Sequence, residues 1–189
     1  MATEPLIQRA QRGDPDAVAD LYEMYVERIF RYVSYRVEDR ADAEDLTADV
    51  FVKMVEGLPA YRHSGVPFEA WLYRIASARV VDARRRSHRR PHTELQDDLA
   101  VPGGTSLEDA LGEQERLADL RGALNHLTDE QQMLLVLRFV ERKSHEQVAE
   151  IMGKSSSAVR SIQHRALTQL AALLGESKGR HYLRGVSDD

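Results

Sequence analysis

From Val18 to Val33 the apolar residues Val18, Leu21, Tyr22, Tyr25, Ile29, Tyr32 and Val33 return at steps of three and four. That is the period of a helix with one buried face. Asp14 followed by Pro15 supplies an N-cap and a proline at the first helical position. After the break VEDRAD, a second helix over about 42–57 is predicted from Ala43, Leu46, Val50, Phe51 and Met54, with Gly57 placed to end it. The loop LPAYRHSGVP follows, and Pro67 opens a long helix through FEAWLYRIASARVVDARRR. The first half of that helix is apolar, with Phe68, Trp71, Leu72, Ile75 and Val80; the second half is rich in arginine.

The stretch PHTELQDDLAVPGGT, residues 91–105, combines prolines, a Gly-Gly pair and acids with little apolar periodicity, which is linker composition. A helix is predicted from Ser106 to about Asn125. Thr128 to Gln131 then reads as a capping box for a helix over 129–141. Ser144 to Gln147 is a second capping box, for a short helix that stops at Gly153, and Ser155 caps a last helix to about Leu174. No segment alternates as a strand would. The expected fold is all-α: a helical domain over residues 1–90, a flexible acidic linker over 91–106, a second helical domain over 107–175, and a tail over 176–189.

The second domain carries a sharper pattern. SHEQVAEIM, with Val148, Ala149, Ile151 and Met152 inward, is followed by a glycine-containing turn and a long helix, the layout of a DNA-binding helix-turn-helix. On the last helix Val159, Ile162, Ala166, Leu167, Leu170, Leu173 and Leu174 fall on one side. Ser157, Ser161, His164 and Thr168 centre the opposite side, flanked by Arg160 and Arg165, with Lys154 and Ser156 at the start. Short polar side chains let a helix backbone enter the major groove, and arginine reaches guanine edges or phosphates. An ordinary solvated face would explain the polarity, but not the agreement of turn, caps and face.

Charge refines this picture. The 189 residues carry a net charge of −5, which by itself argues against a nucleic-acid binder. The average hides a basic–acidic–basic order. Arg79, Arg84, Arg85, Arg86, Arg89 and Arg90 cluster around one acid, Asp82; residues 93–120 are strongly acidic; residues 133–180 are basic again. That order suits two DNA-facing modules joined by a segment turned away from DNA. No apolar run approaches the roughly eighteen residues of a membrane span, and the charged N-terminus lacks the apolar core of a signal peptide, so a cytoplasmic protein is expected. There is no cysteine, hence no disulfide or cysteine–zinc site. The histidines form no ligand set: His88 and His92 lie beside arginines, and His145 and His164 belong to the helix-turn-helix. No nucleophile–base pair, phosphate-cradling glycine loop or HExxH is present. Neither an enzyme nor a cofactor, metal or small-molecule substrate is expected.

Taken together, the motifs resemble those of the extracytoplasmic-function sigma factors of the sigma-70 family, from about Ala10 to Leu174. DRADAEDLTADVFVKM is similar to the family's segment that grips the clamp helices of the polymerase largest subunits. FEAWLYRIASARVVDARRR resembles its promoter-melting, −10-reading helix, and LTDEQQMLLVLRFVERKSHEQVAEIMGKSSSAVRSIQHRALTQL its −35-reading module. The resemblance implies core RNA polymerase as partner, through clamp helices and flap, with promoter DNA and an anti-sigma factor as further partners.

Carried onto this sequence, polymerase binding falls to Asp42, Glu44, Asp45, Leu46, Asp49 and Phe51. The −10 element and its single strand fall to Tyr61, Arg62, His63, Arg79, Asp82, Arg84, Arg85 and Arg86. The −35 element falls to Lys154, Ser156, Ser157, Arg160, Ser161, His164 and Arg165. From spacing alone, Asp42, Asp45 and Asp49 share a helix side, and Trp71 sits among apolar neighbours as a core residue rather than a base-stacking one. The sequence departs from the family at Ala48 and Asp49, where Gln-Glu is common, at Ala158, often threonine, and at Ile162, often arginine. Competing readings are a free-standing helix-turn-helix regulator, which would bind its operator without polymerase, and a helical enzyme using the DAED acids for a metal. A purely protein-binding adaptor leaves the recognition face unexplained.

The linker yields the first prediction. Two modules reading one promoter stand more than a duplex turn apart, about 34 Å, while residues 91–105 reach at most about 50 Å at ~3.3 Å per residue. Deleting six residues of this stretch should abolish use of two-element promoters while each domain still folds. Run-off transcription at unchanged promoter spacing measures this, and full activity would sink the spanning argument.

Overall fold

A computed structural model describes residues 3–37, 39–62, 67–87, 119–120 and 122–175. Among these residues every regular element is helical. The expected linker, most of the expected 106–125 helix, the tail and His63 lie outside the described residues.

The first module is built from four helices: α1 (Thr3–Gln11), α2 (Pro15–Ser34), α3 (Arg40–Gly57) and α4 (Phe68–Ser87). Asp14 caps α2 as its sequence suggests, its carboxylate accepting from the backbone N–H groups of Asp16 and Ala17, and Arg9 Nε donates to the same side chain at 2.7 Å. That ion pair ties α1 to the start of α2. Sequence periodicity passes over α1, which is too short for a clear stripe, yet Ile7 and Ala10 are buried. Asp39 caps α3 by accepting from the backbone N–H of Asp42 at 2.6 Å. The core is made by Leu21, Ile29, Tyr32 and Val33 of α2, Val50 and Met54 of α3, and Leu72, Ala76 and Val80 of α4.

Gly57 ends α3, as expected, though not in a left-handed conformation. Its φ is −85°, and the chain runs on into a 3-10 turn at Leu58–Ala60. Glycine is needed here because a Cβ would lie 2.9 Å from Trp71 Cζ2. Trp71 itself is half-buried and packs against Tyr61 and Phe68, at ring-centroid separations of 4.9 and 5.3 Å.

In the second module both capping boxes form. Thr128 and Gln131 exchange bonds at the start of α5 (Asp129–Leu135), and Ser144 and Gln147 at the start of α6 (His145–Met152). The expected 129–141 helix is α-helical only to Leu135; Val136–Val140 form a π-turn. The last helix, α7, spans Ser156–Leu174 with Ser155 as its N-cap. Val148, Ile151, Val159, Ile162, Ala166 and Leu170 are buried together with Leu134 and Leu137. Leu173 is the exception to the expected inner face: it is 45% exposed, because the helix outruns the elements it packs on. The two modules touch, α4 against α6 and α2 against the π-turn.

The difference between Leu170 and Leu173 is measurable. Leu170→Ala should lower unfolding free energy by about 2–5 kcal/mol, the range for truncating a buried leucine. Leu173→Ala should change it by no more than about 0.5 kcal/mol, as for a surface substitution. Chemical denaturation of both variants separates the outcomes.

Candidate nucleic-acid interface

The geometry of the helix-turn-helix is fixed by backbone chemistry. Gly153 adopts φ +66°, a conformation with a steric cost for residues bearing a Cβ. This closes α6 with the N–H of Gly153 on Glu150 O and that of Lys154 on Ala149 O. Ser155 then accepts from the N–H of Ala158 at 3.2 Å and starts α7. The Gln163 side chain locks the pair, with its Oε1 3.1 Å from the His145 ring and 3.3 Å from Arg138 Nε.

On α7, Ser157, Arg160, Ser161, His164 and Arg165 are exposed and Ser156 is half-buried. Ser161 Oγ donates back to Ser157 O, and Arg165 Nε to Ser161 O at 3.4 Å, so part of the face is folded onto its own helix. Ile162 is 4% exposed and belongs to the core. Lys154 is exposed in the turn and pairs with Glu130 at 2.7 Å.

The basic end of α4 is less open than its sequence suggests. Arg85 and Arg86 are exposed. Arg79 instead pairs with Asp82 at 2.9 Å and with Asp49 of α3 at 3.7 Å. Arg79 and Asp49 thus hold each other, although the resemblance gives one to DNA and the other to polymerase. Arg84 donates to Asp129 Oδ1 and Gln132 Oε1, both at 2.8 Å, and to Asn125 O at 3.2 Å. Tyr61, which the resemblance gives to the −10 single strand, lies in an aromatic cluster. It is 8% exposed, with its ring between Phe68 and Trp71. Burial pushes its hydroxyl above the usual phenol range. Arg62 beside it is exposed and bonded to Pro59 O and Tyr61 O.

The acidic side of α3 carries Asp42, Glu44 and Asp45 exposed and Asp49 half-exposed; Leu46 and Phe51, at 8% and 5%, lie beneath it. Glu44 forms an exposed pair with Arg40.

The family models for Sigma-70 region 2 and Sigma-70 region 4 match residues 21–90 and 123–172. The chain is 35% identical over 182 residues to the sigma factor ShbA of Streptomyces griseus, covering 89% of this chain and 93% of that one. It is 33% identical over 166 residues to the RNA polymerase sigma factor YlaC of Bacillus subtilis, covering 86% and 95%. With the sigma factor BldN of Streptomyces coelicolor it shares 36% identity over 170 residues, 89% of this chain but 64% of the longer relative. The chain belongs to the extracytoplasmic-function RNA polymerase sigma factors. Among solved structures, CnrH in complex with the cytosolic domain of CnrY superimposes with a TM-score of 0.69 at 25% identity, covering 92% of this chain and 97% of that one.

Region 2 of this sigma factor holds a feature that the sequence pattern missed. Beside the acidic side of α3, a groove between α2 and α3 is lined by Tyr22, Val26, Phe30, Phe51, Val52 and Val55, with Glu44 and Glu56 at its rim. Tyr22, Val52 and Val55 are 45%, 53% and 48% exposed. Exposed apolar surface rimmed by polar groups marks an interaction site. The signal was present in the sequence, since Val52 and Val55 fall off the buried stripe of α3. Tyr22 carries no such mark, because it keeps the spacing of the α2 core.

Proposed function

We propose that this sigma factor joins core RNA polymerase through the acidic side and apolar groove of α3, and directs it to promoters through two DNA-reading surfaces. The exposed face of α7 takes the −35 element. Arg85, Arg86 and Arg62 meet the −10 region, and the chemistry of RNA synthesis belongs to the polymerase. Such a protein works in the cytoplasm, beside polymerase and chromosome. The groove is equally suited to an anti-sigma partner that competes with polymerase.

The observation that carries this reading is the build of α7. An outward strip of serine, arginine and histidine stands over a fully apolar underside, held at a fixed angle by the left-handed Gly153 turn. A helix so placed presents short side chains first and long cationic ones at its margins, as major-groove entry requires. Asp45 supports the polymerase half: it is exposed and stands on the same side of α3 as Asp49.

Two experiments follow, both using run-off transcription with purified core polymerase. Arg160→Ala and His164→Ala should each lower transcription from −35-dependent promoters by roughly tenfold, the scale of one lost base contact. Arg165→Ala should weaken all sequences evenly; unchanged −35 discrimination in the first pair would mean the wrong face. Charge reversal of Asp45 and Asp49 to lysine should reduce co-purification with core polymerase at unchanged helicity by circular dichroism. Undiminished co-purification would remove α3 from the docking surface.

A further inference from the structure

We propose that Gln11, the last residue of α1, is a positioning residue for −10 recognition: it fixes the turn from which Arg62 meets promoter DNA. The proposal rests on the reading of Arg62 as a −10 contact and deepens it, adding the part of the fold that aims the arginine. It also gives a function to α1, which contributes no residue to the DNA-reading or polymerase-docking surfaces.

The chain leaves α3 through the 3-10 turn Leu58–Ala60, and Arg62 follows just beyond it. Tyr61, the residue before the arginine, is held at both ends. Its ring lies between Phe68 and Trp71 of α4, at centroid separations of 5.3 and 4.9 Å. Its carbonyl accepts from Gln11 Nε2 at 2.7 Å, and the same nitrogen donates to Leu58 O at 3.0 Å. Both acceptors are carbonyls, so the Gln11 amide must turn its NH2 group and not its oxygen toward them. One side chain of α1 thus ties both ends of the turn. The Tyr61 N–H closes the turn from within, bonding Gly57 O at 3.0 Å and Leu58 O at 3.1 Å. Arg62 completes the arrangement: its Nη1 donates to Pro59 O at 3.0 Å and to Tyr61 O at 3.1 Å. Tyr61 O therefore accepts from Gln11 and Arg62 together, one donor for each lone pair.

A guanidinium carries more N–H donors than two carbonyls use, so an arginine braced on its own turn keeps hydrogen-bonding capacity for a phosphate or a base edge. Bracing also matters for affinity. A long exposed side chain loses rotamer freedom when it binds, and one already held against the turn has given up part of that freedom beforehand. The support behind Gln11 is firm without it. Ile7 and Ala10 of α1 are buried, and Arg9 pairs with Asp14 at 2.7 Å. The same helix also reaches Tyr61 at its far end: burial first, and then the charge of Glu4, raise the Tyr61 hydroxyl above the usual phenol range. Removing the Gln11 amide therefore leaves α1 in place and takes away the two bonds that tie the turn to it. The consequence falls on where Arg62 starts from, and hence on DNA binding. A glutamine that served stability alone would act independently of Arg62.

The test is a double-mutant cycle on holoenzyme assembled from core polymerase and the full-length chain, titrated with a fluorescent single-stranded oligonucleotide carrying the −10 element of a mapped promoter. Arg62→Ala should weaken binding by roughly tenfold, the scale of one lost contact. Gln11→Met keeps the length of the side chain without its N–H donors and should weaken binding by roughly threefold, within the range of coupling between neighbouring groups. The double variant should bind no more weakly than Arg62→Ala alone, because without the guanidinium there is nothing left to aim. Affinity for core polymerase should be the same in all of them, since no change touches the acidic side of α3. Gln11→Ala runs the same cycle with no thioether to pack, so a methionine variant that failed to fold would leave the test intact. Undiminished binding by the Gln11 variants would overturn the positioning role, as would losses that add in the double variant. No loss on Arg62→Ala would instead overturn the reading of Arg62 as a −10 contact, and the positioning role with it; that result is read from a different variant.

Discussion

Helix α4 is packed on three sides, and the rest of the structure depends on that constraint. Phe68, Leu72, Ala76 and Val80 fill the core of the first module. Tyr73, Arg74 and Arg84, at other angles on the same helix, meet the second module. One helix of twenty residues thus carries a core face, a face toward the partner module and a basic end. Such a helix shows little overall amphipathicity, because no wide face is left to solvent. Its apolar first half and cationic second half follow from this division. The first half must satisfy neighbours on several sides; the second passes beyond the core and meets carboxylates, carbonyls or water.

Where local chemistry decides the structure, the sequence was readable. Thr128 and Gln131, Ser144 and Gln147, Ser155, and Asp14 with Pro15 all cap as their types require, because a cap is settled within four residues. Gly153 is of the same kind. The helix-turn-helix, made almost wholly of such signals, was therefore legible in boundary and in face. What local signals leave out is the tertiary neighbour. Gly57 ends its helix as expected, but the requirement for glycine there comes from Trp71. Tyr61, in a polar loop, belongs to an aromatic cluster with Phe68 and Trp71 that no local spacing announces. Leu173 kept helical period past the end of its support. Period fixes which side a residue faces, but not whether anything stands there to cover it.

Charges were the least legible, for the same reason. The family resemblance gives Asp49, Arg79 and Arg84 to external partners, and charge along the chain is silent on partners within it. In the folded chain each has an internal counterion: Arg79 for Asp49, Asp82 for Arg79, and Asp129 for Arg84. Exposed pairs such as Arg40–Glu44 contribute at most about 1 kcal/mol and yield readily to a partner. The pair at Arg84 is different, because its acceptors are two side chains and a carbonyl fixed at the start of the second module. Releasing it requires moving that module.

The π-turn at Val136–Val140 explains how so short a segment serves both the core and the contact between modules. A regular helix through 141 would carry Glu141 and Lys143 onto sides about 200° apart, at 100° per residue. In the folded chain the N–H of Glu141 bonds Val136 O, five residues back, and that of Lys143 bonds Leu137 O. Between them Arg142 takes φ +51°, a left-handed conformation that costs an L-residue about 1–2 kcal/mol. Through this widened, reversed corner Leu134 and Leu137 stay buried beneath while Glu141 and Lys143 both turn toward the first module. Arg138 fixes the corner by donating to Lys143 O. The backbone strain is offset where both side chains find their charges across the interface. The irregularity in this otherwise regular module thus stands where the two modules recognise each other.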